Sequence, residues 1–206
     1  MWKHLLAIIV GLGLVLSFAI DAPPQAAAAQ RSATAEAAAV VDVGGVPDAM
    51  AAMIDWAMAL FADADLALPS MRFVHNGTDT EPCSGRAGMH HVVDGVSVVE
   101  LCTSDVGVAT RIMILHETAH AWTRHALTDE ARERFRALRG FEHWRDYAAA
   151  PWHENGTEQA AEILVWGLMD RPIRIVRIDQ ATCDDLLAGY RILTGAEPLH
   201  GFSDHC

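Results

Sequence analysis

Residues 112–122 read Ile-Met-Ile-Leu-His-Glu-Thr-Ala-His-Ala-Trp. Two histidines and a glutamate stand inside a stretch whose neighbours demand burial. A helix carrying that stretch must set its polar groups against something that compensates their desolvation, because bare imidazole and carboxylate groups in apolar surroundings are costly. His116 and His120 are four residues apart and share one helical face. They can present two imidazoles to one ion. Glu117 lies about 100° round the helix from His116 at about 3.6 residues per turn, beside the open side of such an ion. This is the His-Glu-x-x-His arrangement. In it a metal acidifies a water, and the glutamate takes its proton and later delivers one to the leaving amine.

A catalytic zinc takes three protein ligands and a water. The continuation Ala121-Trp-Thr-Arg-His125-Ala126 lacks the glycine and the histidine that the longer metzincin motif would require. The better third ligand is Glu158, in Gly156-Thr-Glu-Gln-Ala-Ala-Glu162, 38 residues after His120 on a second expected helix. Glu158 and Glu162 are four apart and share a face. One can bind metal while the other accepts a hydrogen bond from a ligand histidine and so fixes its ring.

The pairing of His116-Glu117-x-x-His120 with Glu158-x-x-x-Glu162 resembles the gluzincin metallopeptidases, distantly thermolysin-like and nearer in size to the small minigluzincins. Thermolysin-like enzymes carry an aspartate where Glu162 stands. The resemblance implies a zincin-like α+β domain and a zinc-dependent peptidase acting on a peptide or protein substrate. It also implies His116, His120 and Glu158 as zinc ligands, Glu117 as general base and Glu162 as support to a ligand. It further implies an edge strand beside the active helix on which an extended substrate adds a strand. Such an enzyme needs a donor for the oxyanion besides zinc. Tyr190 is the leading candidate, on a helix after the ligand helix. Tyr147, His143, His153 and His200 are the others, and the competing reading packs Tyr190 into the core with its hydroxyl wet. The alternative function is a non-catalytic zinc-binding module that acts as an extracytoplasmic binding protein.

The rest of the chain supplies one α+β domain over 47–206: a helix from Pro47 to near Pro69, a strand at 71–75 and a hairpin at 91–102 around Asp94-Gly95. Helices are expected over 108–126, from Thr128 to Arg139 with Gly140 as stop, over 158–169 and over 181–193. The aromatic stretch 140–156 between the two ligand helices suits a wall or lid of the cleft. His90 and His91 read as a surface pair.

Ahead of this domain, residues 5–20 are apolar apart from Ser17 and the glycines, and Lys3 precedes them. The run is short for a membrane span and suits the core of a secretory signal, with Ala27-x-Ala29 as a cleavage site. A membrane tether through residues 5–20 is the competing reading. Residues 1–29 are thus a signal peptide or anchor, and 30–46 a flexible linker. Both readings put the domain outside the cytoplasm, where the four cysteines favour disulfides, by locality Cys83–Cys102 and Cys183–Cys206. With 27 acidic and 15 basic residues the net charge is −12, which excludes a nucleic-acid partner.

Overall fold

The computed structural model describes residues 40–76, 81–145, 147–148, 150–169, 178 and 181–199. All belong to one unit spanning residues 37–206. The apolar run at 5–20, the cleavage site at 27–29, His200 and Cys206 lie outside the described residues.

The order of elements is mixed α+β. Strand β1 (Val41–Asp42) leads to helix α1 (Asp48–Asp63), then strands β2 (Met71–His75), β3 (Gly88–Val93) and β4 (Val96–Leu101). Four helices follow: α2 (Val108–Ala126), α3 (Asp129–Arg139), α4 (Gly156–Leu168, after a single 3-10 turn at Trp152–Glu154) and α5 (Cys183–Thr194). Among the described residues no helix is long and apolar enough to cross a membrane.

The four strands form one sheet in the order β1-β2-β4-β3. β1 and β2 pair in parallel, joined through α1, since parallel neighbours need a crossover connection. β2 and β4 are also parallel, and β3 returns antiparallel on β4 as the edge strand. The Asp94-Gly95 turn carries positive φ at both residues (51° and 81°), the backbone twist that suits a two-residue hairpin.

β1 corrects the reading of 30–46 as linker. Val41, Val43 and Val46 pack against the core, and Val41 pairs with Met71, so the domain begins by residue 40. Only two residues pair, too short a run to announce a strand in an Ala- and Val-rich stretch.

Cys83 and Cys102 are joined, and both are buried. The link closes the base of the hairpin, where Cys102 N–H also donates to the Ala87 carbonyl. A loop of this length contributes about 3 kcal/mol in the chain-entropy account. Cys183 is disulfide-bonded as well.

α4 is the central helix: every residue from Gly156 to Leu168 is buried. Its polar members Glu158 and Glu162 meet α2, while Gly167 meets α5. A Cβ at Gly167 would sit 2.1 Å from two ring carbons of Tyr190, which is fully buried. Because a rigid ring in a packed core cannot step aside cheaply, Gly167→Ala should destabilise the fold by about 2–3 kcal/mol. Urea unfolding of the variant checks this, and an unchanged midpoint would mean that the helices are not so close.

Candidate metal centre

α2 carries its polar triplet into the interior because its apolar neighbours Ile114, Leu115, Ala119 and Trp122 are buried in the core. His116 and Glu117 go in with them. α4 packs along α2, and the carboxylate of Glu158 reaches the two imidazoles. His120 Nε2 lies 3.0 Å from His116 Nε2 and 3.1 Å from Glu158 Oε2, and His116 Nε2 lies 3.2 Å from the same oxygen. His116, His120 and Glu158 thus offer one nitrogen each and one oxygen to a single point, a group that could hold a metal ion.

The spacing fits a small cation. In a regular tetrahedron around zinc with bonds of about 2.0–2.1 Å, neighbouring donors stand about 3.3–3.4 Å apart. Three donors separated by 3.0–3.2 Å match one face of it and leave the fourth position open.

The electrostatics of the cluster call for positive charge. Burial acts to lower the pKa of His116, but the neighbouring carboxylates of Glu158 and Glu162 and the charge of Glu117 outweigh it, and the imidazole is pushed up to about 10. Burial acts to raise Glu158, yet the two imidazoles hold it far below the usual carboxylate range. In the metal-free protein the raised His116 value stabilises the fold below the imidazole's unfolded pKa of about 6.5. That contribution disappears as pH rises through about 10. A metal binding there must displace this proton, so its affinity falls as pH falls.

Around the triad stand four further groups. His116 Nδ1 is 3.3 Å from Glu162 Oε1, an ion-pair separation rather than an aligned hydrogen bond, and it turns Nε2 toward the shared point. The Trp152 ring stacks on His116 with centroids 6.1 Å apart. Tyr147 donates its hydroxyl to Glu158 Oε1 at 2.6 Å, engaging the carboxylate oxygen that the histidines do not. Burial and the neighbouring Glu158 carboxylate push the Tyr147 phenol up to about 12, so it remains a donor throughout the neutral range. Finally, His90 on β3 stacks over His120, the centroids 6.4 Å apart and the rings 14° from parallel.

The loop that carries Tyr147 is fastened to the first turn of α4. Thr157 N–H donates to the Trp144 carbonyl at 2.8 Å, and a Cβ on Gly156 would lie 3.0–3.2 Å from Trp144. Glycine at 156 therefore lets the loop close on the helix start, which sets Tyr147 against Glu158. Tyr147→Phe should weaken metal affinity by about 10-fold, as loss of a group orienting a ligand does. Because Tyr147 is half exposed, the fold should be little affected. Competition titration with a chromophoric chelator measures it, and an unchanged affinity would show that Glu158 is held without the phenol.

Glu117 is 8% exposed, and its carboxylate makes no hydrogen bond among the described residues. It lies where β3 crosses α2, for a Cβ at Gly88 would come 3.1 Å from Glu117 Cγ. The edge strand therefore runs beside the centre, from Glu117 past His120.

Of the residues singled out from sequence, the fold brings His116, Glu117, His120, Glu158 and Glu162 together. It does not bring Tyr190, whose ring packs on Gly167, nine residues or about 13 Å along α4 from Glu158 at about 1.5 Å per residue. Its hydroxyl is buried without a hydrogen-bond partner among the described residues, not wet, and burial pushes the phenol up to about 12. Among the described residues the phenol at the triad is Tyr147. His90 is not the surface residue expected from its sequence: the alternation along β3 turns Gly88 and His90 toward α2. No family model, curated protein or solved structure matches this chain.

Proposed function

We propose that the chain is an exported zinc-dependent peptidase of gluzincin type. The observation that carries this reading is the convergence of His116, His120 and Glu158 at 3.0–3.2 Å, with the carboxylate of Glu117 on the same helix free of hydrogen bonds among the described residues. Two imidazoles and one carboxylate with a fourth position open are the donor set of a catalytic zinc. Held there, zinc supplies Lewis acidity and a water acidified to near neutrality. Glu117 takes the proton of the attacking water and passes it to the leaving amine. Glu162 keeps the His116 ring in register, and Tyr147 does the same for Glu158. β3, the sheet edge beside Glu117, offers main-chain groups to an extended peptide. The disulfides and the apolar run at 5–20 favour an oxidising compartment outside the cytoplasm.

The test is cleavage of a mixed peptide library by the purified protein, with chelator and with zinc restored. The account expects cleavage that stops with chelator and returns with zinc. A zinc-loaded protein that cleaves nothing would overturn the hydrolase reading and favour the binding module.

A further inference from the structure

We propose that Arg124 and Arg145 make the mouth of this site selective for substrates that carry a carboxylate close to the scissile bond. The proposal rests on the peptidase reading and names the substrate class for it.

Arg124 follows His120 by four residues on α2 and lies on the same face, one turn further along. Arg145 comes from the loop between the ligand helices. Its guanidinium carbon is 5.8 Å from the ring centroid of Tyr147, whose hydroxyl holds Glu158. Two separate elements therefore each carry an exposed arginine next to the triad, one a helical turn beyond His120 and one against the Tyr147 ring. Both act on the same neighbour, His90, the ring stacked on His120. The two guanidiniums thus lie within electrostatic reach of the ring that caps His120.

Neither guanidinium has an ion-pair or hydrogen-bond partner among the described residues. This holds in a chain with 27 acidic residues against 15 basic, where acidic partners are plentiful. Several arginines of the surface are paired within their own helix or loop, as Arg132 is with Asp129, Arg136 with Glu133 and Arg191 with Glu197, while the exposed Arg72 and Arg134 are not paired among the described residues. The surrounding acidity repels anionic substrates at long range. Two unpaired guanidiniums beside the reacting centre reverse that locally, and arginine suits planar carboxylate recognition. The carboxylate could belong to an internal Asp or Glu side chain or to the substrate's C-terminus.

The experiment separates these sources. Alanine-based peptides of equal length carry Glu or Gln at the central positions, each with a free or an amidated C-terminus, and all bear the same neutral dye. Their binding to zinc-loaded Glu117→Gln protein is followed by fluorescence anisotropy at low and high salt, and their cleavage by the wild-type chain is followed in parallel. The peptide with a central Glu, or the one with a free C-terminus, should bind about tenfold tighter than its neutral counterpart at low salt, as expected for two partly exposed ion pairs. The advantage should shrink with salt. R124Q/R145Q should bring the ratio close to one while zinc stoichiometry stays that of the parent. Equal binding of all peptides, or a preference that survives in R124Q/R145Q, would overturn the proposal. An arginine-dependent preference with no cleavage of any peptide would sink the hydrolase reading and leave the carboxylate selectivity supported.

Discussion

Glu117→Gln should keep its full metal complement and lose peptide hydrolysis by a factor of about 10²–10⁴, the usual contribution of a general base. The substitution is nearly isosteric. It changes no donor of the triad and leaves the buried face of α2 intact, so the fold and the metal site should survive. What it removes is proton acceptance, because an amide cannot take a proton from water at neutral pH. In the wild-type chain that carboxylate is buried and lacks a hydrogen bond among the described residues, a costly arrangement unless a water or substrate group meets it in use. Metal content and kcat measured on the same preparation separate the two effects. A variant that cleaves as fast as wild type would remove Glu117 from the chemistry. One that loses its metal would make it a structural group.

The second large effect concerns stability. A ligand that binds only the folded state stabilises it by about 4 kcal/mol when present at about 1,000 times its Kd. For a domain of this size, that corresponds to a rise in Tm of roughly 8–16 °C. The triad draws its donors from α2 and α4, so zinc should tie together the two helices at the centre of the fold. His120→Ala removes one donor and should abolish most of the shift, without the large cavity that truncation of a core residue would leave. The rise should also shrink as pH falls, since the His116 proton competes for the same position. Differential scanning calorimetry with and without zinc reads all three results. A wild-type Tm indifferent to zinc would mean that the cluster is only an ion-paired core.

Much of the fold could be read from local signals. The bounds of β2, α2 and α3 follow from apolar period and capping: Thr128 accepts from Ala131 N–H at the start of α3, and Gly140 closes it in the left-handed conformation. The triad was legible because spacings of four on two helices are local facts, and because burial of the intervening residues forces those faces inward. Tyr147 was less so. It sits in an irregular loop, where no periodicity links it to Glu158, and its place depends on the Trp144 backbone closing on Gly156. Tyr190 is the leading candidate from sequence, being on the helix after a ligand helix. Which tyrosine faces the site is decided by the packing of α5 on Gly167, a tertiary contact that neither segment encodes alone. β1 escaped notice because its pairing with β2 crosses the whole of α1.

X-ray absorption at the zinc edge, on zinc-loaded wild-type and His120→Ala protein, bears most directly on whether the three side chains share one cation. The account predicts a first shell of nitrogen and oxygen donors at about 2.0–2.1 Å, with the outer-shell signature of two imidazoles and no sulfur. In His120→Ala one imidazole should be gone, or the zinc with it. A sulfur-containing shell, an all-oxygen shell, or a spectrum that His120→Ala leaves unchanged would contradict it.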